Sequence, residues 1–166
     1  YEIGVRLVGS EMCIRDSDYP MHEKLREYYR ALNKLYTSCP ALYDCDKSWD
    51  GFKWLNVNDK NRSSIAFLRS ARPENASYLI CTCNFIPNEH RGFVIGLPEN
   101  GVLREVLSSD DVRFGGRGLH NAEPIKSRSE PFCGLPYSAQ IDLPPLSTVY
   151  FEYIPERMSD KNEEGV

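Results

Sequence analysis

The chain has 166 residues, of which 41% are hydrophobic and 27% charged, and its 20 basic and 24 acidic side chains give a net charge of −4. This mildly acidic balance, without a basic run, argues against a surface built for nucleic acid or for an anionic membrane. No apolar run approaches the roughly 20 residues of a membrane-spanning helix.

The first 17 residues differ in origin from the rest. Residues 7–16 fit the translated codons of a transposase-type sequencing adapter, and residues 1–3 fit the primer segment upstream of it. Sequence of this kind was never selected to fold or to act, so it is excluded from the fold prediction. We expect residues 18–166 to be the C-terminal fragment of something larger, long enough for one domain with a core.

The first predicted element is an amphipathic helix at residues 21–36. Its apolar residues recur at steps of three and four and form one stripe: Met21, Leu25, Tyr28, Tyr29, Leu32, Leu35 and Tyr36. Asp18 is the predicted N-cap, and Pro20 lies in the first turn, where its missing N–H costs nothing. Pro40 predicts an end near Thr37, because proline disfavours helical geometry at the residue before it. So wide a stripe predicts a packing partner, and the downstream strands offer no obvious one.

After residue 51 the apolar period changes to two, which is typical of strands. The predicted strands span residues 52–57, 64–69, 77–85, 92–97, 103–107, 137–143 and 147–153. Residues 88–91 are predicted as a hairpin tip and residues 108–131 as a long polar loop, and Pro144 and Pro145 separate the last two strands. Short strands at near-regular spacing, without intervening helices, indicate an antiparallel β-sandwich.

The cysteines and histidines predict no metal site and no cofactor. Beyond the first segment the cysteines are Cys39, Cys45, Cys81, Cys83 and Cys133. An odd number without regular spacing favours free thiols in a reducing cytosol, and hence a cytoplasmic protein. Cys81 and Cys83 are predicted on one strand face as packed apolar side chains. Three histidines on separate elements are expected at the surface: His22, His90 and His120.

No motif for catalysis is present. The sequence lacks Gly-x-Ser-x-Gly and His-Glu-x-x-His, and the glycine-rich residues 115–118 lack the Gly-Lys-Ser/Thr ending of a phosphate loop. Two neighbouring carboxylate pairs, Asp44 with Asp46 and Asp110 with Asp111, lie in turn-like segments where Asp bonds the backbone. They are therefore not predicted to be the acid pair of a glycosidase.

Three aromatic residues within six positions give the one hint of ligand binding. Phe52 and Trp54 share a face of the first predicted strand and are predicted to lie in the core. Trp49 precedes a turn and is predicted to be exposed. Because a flat aromatic ring can stack on a sugar ring, we interpret Trp49 as a candidate carbohydrate contact.

Several motifs together point to a family. They are Asp-Tyr-Pro-Met-His at 18–22, Gly-Phe-Lys-Trp-Leu at 51–55, Cys-Asn-Phe-Ile-Pro at 83–87, Arg-Glu-Val-Leu at 104–107, Pro-Tyr-Ser at 136–138 and Leu-Pro-Pro-Leu at 143–146. In this order they resemble the C-terminal end of bacterial 1,4-alpha-glucan branching enzymes of the alpha-amylase superfamily, along nearly all of residues 18–153. The departures are modest, with Arg117 and Leu119 in the glycine-rich loop and His120 before the expected Asn121.

The resemblance implies a retaining glycosyltransferase that cuts an alpha-1,4 glucan and rejoins the piece through an alpha-1,6 bond, with glycogen as its glucan. An Asp nucleophile, a Glu acid/base and a stabilising Asp would belong to a catalytic (β/α)8 barrel. None of them maps onto residues 18–166, so no catalytic residue is assigned. We expect the chain by itself to be inactive and to be a structural or glucan-contacting part, with Trp49 as the candidate contact.

The resemblance also implies a domain organisation. Residues 1–17 would be adapter-derived, residues 18–39 the last helix of a truncated barrel and residues 40–51 a linker. Residues 52–154 would form a mainly β, antiparallel C-terminal sandwich, and residues 155–166 a charged, disordered tail. The helix stripe would bury against the absent barrel, so the isolated chain is expected to self-associate.

Two alternatives stay open. The first is another alpha-amylase-superfamily enzyme, such as a debranching or trehalose-releasing hydrolase, because these share a terminal sandwich. The motifs at residues 18–22 and 136–146 favour the branching enzyme. The second is a stand-alone carbohydrate-binding module, which would need an exposed aromatic platform and no unpartnered helix; residues 21–36 weigh against it.

Overall fold

The computed structural model describes residues 19–59, 61–122 and 124–156. The predicted adapter segment, Asp18 and the tail beyond residue 156 lie outside these ranges. The helix is α1 (Pro20–Ser38), and the strands are β1 (Phe52–Asp59), β2 (Ser64–Ser70), β3 (Tyr78–Asn84), β4 (His90–Leu97), β5 (Gly101–Ser108), β6 (Ile125–Lys126), β7 (Tyr137–Leu143) and β8 (Ser147–Pro155). Single 3-10 turns lie at Pro40–Leu42, Trp49–Gly51 and Val112–Phe114.

The strands form two sheets. Six strands are ordered β1-β2-β3-β8-β5-β6 in the larger sheet, and β4 pairs with β7 in the smaller one. All pairs are antiparallel. The predicted mainly β architecture with one preceding helix is confirmed. Pro155 closes β8, so the predicted disordered tail is wrong at its first residue.

The hydrophobic core lies between the two sheets. The larger sheet contributes Leu55, Ala66, Leu68, Ile80, Leu103, Val149, Phe151 and Tyr153, and the smaller one contributes Phe93, Ile95, Leu97, Ala139, Ile141 and Leu143. Burial alternates along β8, where every second residue is buried. Each large aliphatic or aromatic side chain buried in this way stabilises the fold by about 1.5–3 kcal/mol before entropy is counted.

Two predicted connections differ from the structure. The predicted hairpin tip at residues 88–91 does not join paired strands, since β3 lies in the larger sheet and β4, beginning at His90, lies in the smaller one. The predicted loop at residues 108–131 contains the turn Val112–Phe114 and β6, whose two residues pair with β5. A two-residue strand is too short for alternation to reveal.

The helix ends where proline predicts, but its start differs. Cys39, which precedes Pro40, is extended at φ −114° and ψ 100°, and α1 stops at Ser38. The N-cap is Tyr19, not the predicted Asp18, and its side chain makes no capping hydrogen bond. Within residues 19–59, 61–122 and 124–156, no helix is long and apolar enough to cross a membrane.

The residues of the apolar stripe of α1 differ in burial. Tyr28, Leu32 and Leu35 are partly buried on the side toward the sandwich, and the Tyr28 ring meets that of Phe114 at 5.1 Å. The region after the helix therefore does offer it a packing surface, which was not obvious from the sequence. The more exposed residues of the stripe, here called the exposed helix face, are Met21, Leu25, Tyr29 and Tyr36, which are 62%, 52%, 58% and 48% exposed.

Candidate functional site

Four aromatic side chains form a continuous cluster at one margin of the larger sheet. This aromatic edge consists of Trp49, Phe52, Trp54 and Phe67. Phe52 meets Trp49 edge-on at 6.1 Å and Trp54 edge-on at 4.9 Å, and it stacks on Phe67 at 5.3 Å. The strand period places Phe52 and Trp54 on one side of β1, and Phe67 is the cross-strand partner of Trp54.

The aromatic edge faces away from the core. Phe52 and Trp54 do share a face, but the prediction that they lie in the core is wrong: Trp54 is 47% exposed, and Leu55 is the core residue of β1. The alternation of side chains along a strand predicts which residues share a face, but it does not predict which face packs on the second sheet. Trp49 is 83% exposed, as predicted for its position before the turn.

Polar side chains surround Trp49. A shallow depression is lined by Asp46, Lys47, Ser48, Trp49, Phe52 and Arg69. The guanidinium of Arg69 donates to the carbonyls of Ala41 and Leu42 at 3.4 and 3.3 Å and pairs with the Asp46 carboxylate. These bonds hold Arg69 in place in the depression that the exposed Trp49 also lines.

This arrangement combines an apolar ring with hydrogen-bonding groups at its rim. A sugar ring has an apolar face and equatorial hydroxyls, so the depression matches it in both respects. The sequence analysis proposed Trp49 alone and did not predict that Arg69 and Asp46 line the same depression. Arg69 could have been found from the alternation along β2, because residues two apart in a strand share a face and Arg69 therefore lies on the same face as Phe67.

The first predicted carboxylate pair is engaged in structural bonds. Asp44 accepts hydrogen bonds from the Asn75 side chain at 2.8 Å and the Arg72 backbone N–H at 3.1 Å. These bonds lower the pKa of Asp44 below its usual value, and the bond from Asn75 has the larger effect. Asp46 is the partner of Arg69.

The second pair shapes the glycine-rich loop. Asp110 accepts the backbone N–H groups of Arg117 and Leu119 at 3.2 and 3.1 Å, and Asp111 accepts that of Arg113 at 3.0 Å. The turn function assigned to these carboxylates is therefore observed.

The histidines lie on separate elements, as predicted. His120 pairs with Glu105 at 2.7 Å, and a ring nitrogen of His90 lies 3.0 Å from a backbone carbonyl. Glu105 also accepts both the backbone and side-chain N–H groups of Asn121 at 2.9 and 2.8 Å. This network, which the sequence did not reveal, ties the glycine-rich loop to β5.

The thiols are unpaired in the described part of the chain. All five cysteines from Cys39 to Cys133 are free. Among the side chains of residues 19–59, 61–122 and 124–156, no group of three or more His, Cys, Asp or Glu is placed to hold a metal ion.

Several proteins of similar sequence share one name. The 1,4-alpha-glucan branching enzyme GlgB of Halothermothrix orenii is 38% identical over 81% of this chain and 21% of its own length. That of Oceanobacillus iheyensis is 39% identical over 84% and 22%, and that of Geobacillus stearothermophilus 38% identical over 78% and 20%. The chain spans about a fifth of the length of these relatives.

A family model also matches the strand region. The alpha amylase C-terminal all-beta domain matches residues 54–154, from β1 almost to the end of β8. These residues contain the two-sheet core described above. The chain belongs to the family of alpha-amylase C-terminal all-beta domains.

Proposed function

We propose that this chain is the C-terminal accessory domain of a 1,4-alpha-glucan branching enzyme that forms alpha-1,6 branches in glycogen. The name shared by the relatives supports this identity. The whole enzyme would cut an alpha-1,4 glucan and transfer the piece to a sugar hydroxyl, in the cytoplasm. Its catalytic carboxylates would lie on a barrel domain, and no residue of this chain would take part in bond cleavage.

The exposed helix face is the observation that carries this proposal. Met21, Leu25, Tyr29 and Tyr36 leave about half of their surface open to water. Covering the remaining area of four such side chains is worth about 3–6 kcal/mol before ordering costs. The partner we propose is the catalytic barrel of the same enzyme, with α1 as the junction between barrel and sandwich.

A hybrid enzyme tests this assignment. Residues 18–156 would replace the C-terminal domain of the Halothermothrix orenii relative, and branching would be followed as loss of iodine staining of amylose and gain of alpha-1,6 linkages by NMR. We expect the hybrid to be active and to lose activity and thermal stability when Met21, Leu25 and Tyr29 are changed to Ser. As a control, changing Arg30 and Lys34 to Ser is expected to leave activity and thermal stability unchanged. If the three apolar substitutions leave the activity and thermal stability of the hybrid unchanged, the proposal is contradicted.

The aromatic edge supports a second role for the same domain. We infer that Trp49 contacts the glucan outside the catalytic centre, with a glucose ring on its indole face and hydroxyls near Asp46 and Arg69. The 83% exposure of Trp49 and the fixed Arg69 beside it favour this contact. Such a contact raises the local concentration of the polymer without touching the reacting bond.

A further inference from the structure

Residues 40–51, here called the connecting segment, join α1 to β1 and are attached to the sandwich at both ends. The first turn of the segment, Pro40–Leu42, leaves Ala41 fully buried. At the other end, the Ser70 hydroxyl of β2 donates a hydrogen bond to the backbone carbonyl of Asp50 at 3.3 Å. The path of the chain between these two points is therefore restricted, and so are the positions of the side chains that it carries.

Close packing at Gly51 restricts the connecting segment further. A side chain at this position would place its Cβ 2.5 Å from Cβ of Cys45 and 3.0 Å from the backbone carbonyl oxygen of Ser70. Only glycine allows one stretch of chain to approach another so closely. The turn Trp49–Gly51 is thus held against the last residue of β2.

One side chain joins two parts of the connecting segment. The guanidinium of Arg69 donates to two backbone carbonyls in the first turn, those of Ala41 and Leu42. It also pairs with the carboxylate of Asp46, further along the segment. The Arg69 side chain is only 19% exposed, so its guanidinium is largely withdrawn from water and depends on these acceptors. Its planar fork fixes the direction of each bond, which a lysine ammonium group does not reproduce.

Trp49 lies within this restricted segment and still exposes its ring. It is 83% exposed, and its indole meets the ring of Phe52 edge-on at 6.1 Å. A ring on a mobile loop loses conformational freedom when it binds a ligand, whereas a ring on a fixed backbone has less to lose. The bonds that fix the connecting segment therefore favour binding at Trp49.

We propose that Arg69 is a positioning residue for Trp49: by joining the first turn of the connecting segment to Asp46, it holds the backbone that presents the indole ring to the glucan. This inference rests on the glucan contact of Trp49 proposed above. Arg69 acts on that contact through the connecting segment, and it sets how much order the ring already has before the glucan arrives.

The fluorescence of Trp49 tests the positioning without any ligand. The chain has two tryptophans, so Trp54→Phe leaves Trp49 as the only one, and time-resolved anisotropy of the 166-residue chain then measures motion of its ring relative to the domain. We expect the amplitude of the sub-nanosecond decay to at least about double in Arg69→Ala. The control is Arg104→Ala, which removes an exposed arginine from β5, a strand separated from β2 by two others, and leaves the decay unchanged.

Two milder variants keep the test valid if Arg69→Ala does not fold. Arg69→Lys retains a charge for Asp46 but not the fork that bonds both carbonyls, and Asp46→Asn removes the ion pair but not the carbonyl bonds. We expect both to give decays between those of the wild type and Arg69→Ala, and circular dichroism establishes that each variant is folded. A wild-type decay in folded Arg69→Ala, or in both milder variants, overturns the proposal.

Glycogen affinity tests the consequence of the positioning. In affinity electrophoresis of the 166-residue chain, Arg69→Ala is expected to bind glycogen at least about threefold more weakly than wild type. The double variant is expected to bind no more weakly than Trp49→Ala alone, because both residues act on one contact. Additive losses overturn the proposal. If Trp49→Ala leaves the affinity unchanged, the glucan contact itself is overturned, and a larger fast decay in Arg69→Ala still supports the positioning of the ring.

Discussion

The phenol of Tyr28 on α1 lies next to that of Tyr150 on β8, and burial raises the pKa of both. Because the Tyr28 ring also meets Phe114 edge-on, one helix residue contacts both the sheet and the glycine-rich loop. The helix is therefore attached to the sandwich at its middle, while its exposed face remains open.

The contacts of Tyr28 predict how firmly α1 is held. Tyr28→Phe removes only the hydroxyl beside Tyr150 and is expected to reduce the free energy of unfolding by less than about 1 kcal/mol. Tyr28→Ala also removes the packing on Phe114, with an expected loss of about 2–3 kcal/mol. Urea denaturation followed by circular dichroism measures both. Tyr29→Phe, on the exposed face, serves as the control and leaves the midpoint unchanged.

Truncation of an aromatic residue in the core is expected to cause a larger loss of stability. Phe151 is fully buried between the sheets, so Phe151→Ala leaves a cavity and is expected to lower the free energy of unfolding by about 3–5 kcal/mol. Phe85→Ala removes the same ring from a position that is 59% exposed, with an expected change within about 0.5 kcal/mol. Equal losses in the two variants would mean that the core is not where the structure places it.

The exposed helix face predicts self-association of the isolated chain. Sedimentation velocity is expected to show concentration-dependent oligomers that bind a hydrophobic dye. Changing Met21, Leu25 and Tyr29 to Ser is expected to restore a monomer, whereas changing Arg30 and Lys34 to Ser is not. Monodisperse wild-type chain without dye binding contradicts this prediction.

The aromatic edge predicts loss of glucan affinity in Trp49→Ala. Affinity electrophoresis in glycogen gels is expected to show at least about fivefold weaker binding, equivalent to roughly 1 kcal/mol. Phe85→Ala, which removes an exposed aromatic ring elsewhere, is the matched control. Unchanged glycogen affinity of Trp49→Ala in the hybrid enzyme removes the proposed contact and leaves the assignment as an accessory domain intact.

The bonds of Asp44 predict a pH dependence of stability. Hydrogen bonds from Asn75 and Arg72 lower its folded-state pKa below the unfolded value of 3.8. The stabilisation is therefore fully present above that value and is lost as the pH falls through the folded pKa. Asp44→Asn is expected to lower the denaturation midpoint at pH 7, with a difference from wild type that shrinks below pH 4. Glu74→Gln, in the same loop region, controls for removal of one negative charge, and a difference independent of pH contradicts the mechanism.

Local chemistry in the sequence was sufficient to predict most elements. The helix end follows from Pro40, which acts on the residue beside it, and the strand positions follow from runs of alternation long enough to recognise. The exposure of Trp49 followed from its place before a turn. Each of these depends on neighbours within a few residues.

The sequence could not predict which strands pair or which side of a strand faces the core. The outward direction of Phe52 and Trp54 depends on which side of β1 meets the smaller sheet, and the crossover after β3 depends on which strand pairs with which. The position of Arg69 beside Trp49 likewise arises from β2 lying next to β1. Such long-range pairings leave no local pattern.

The attachment of α1 through Tyr28 has a practical consequence for transferring this domain to another protein. A transplant that begins at β1 would remove the Tyr28 ring from beside Tyr150 and expose the outer side of β8 to water. The natural unit of exchange starts before Tyr19, so that the helix travels with the strands it covers.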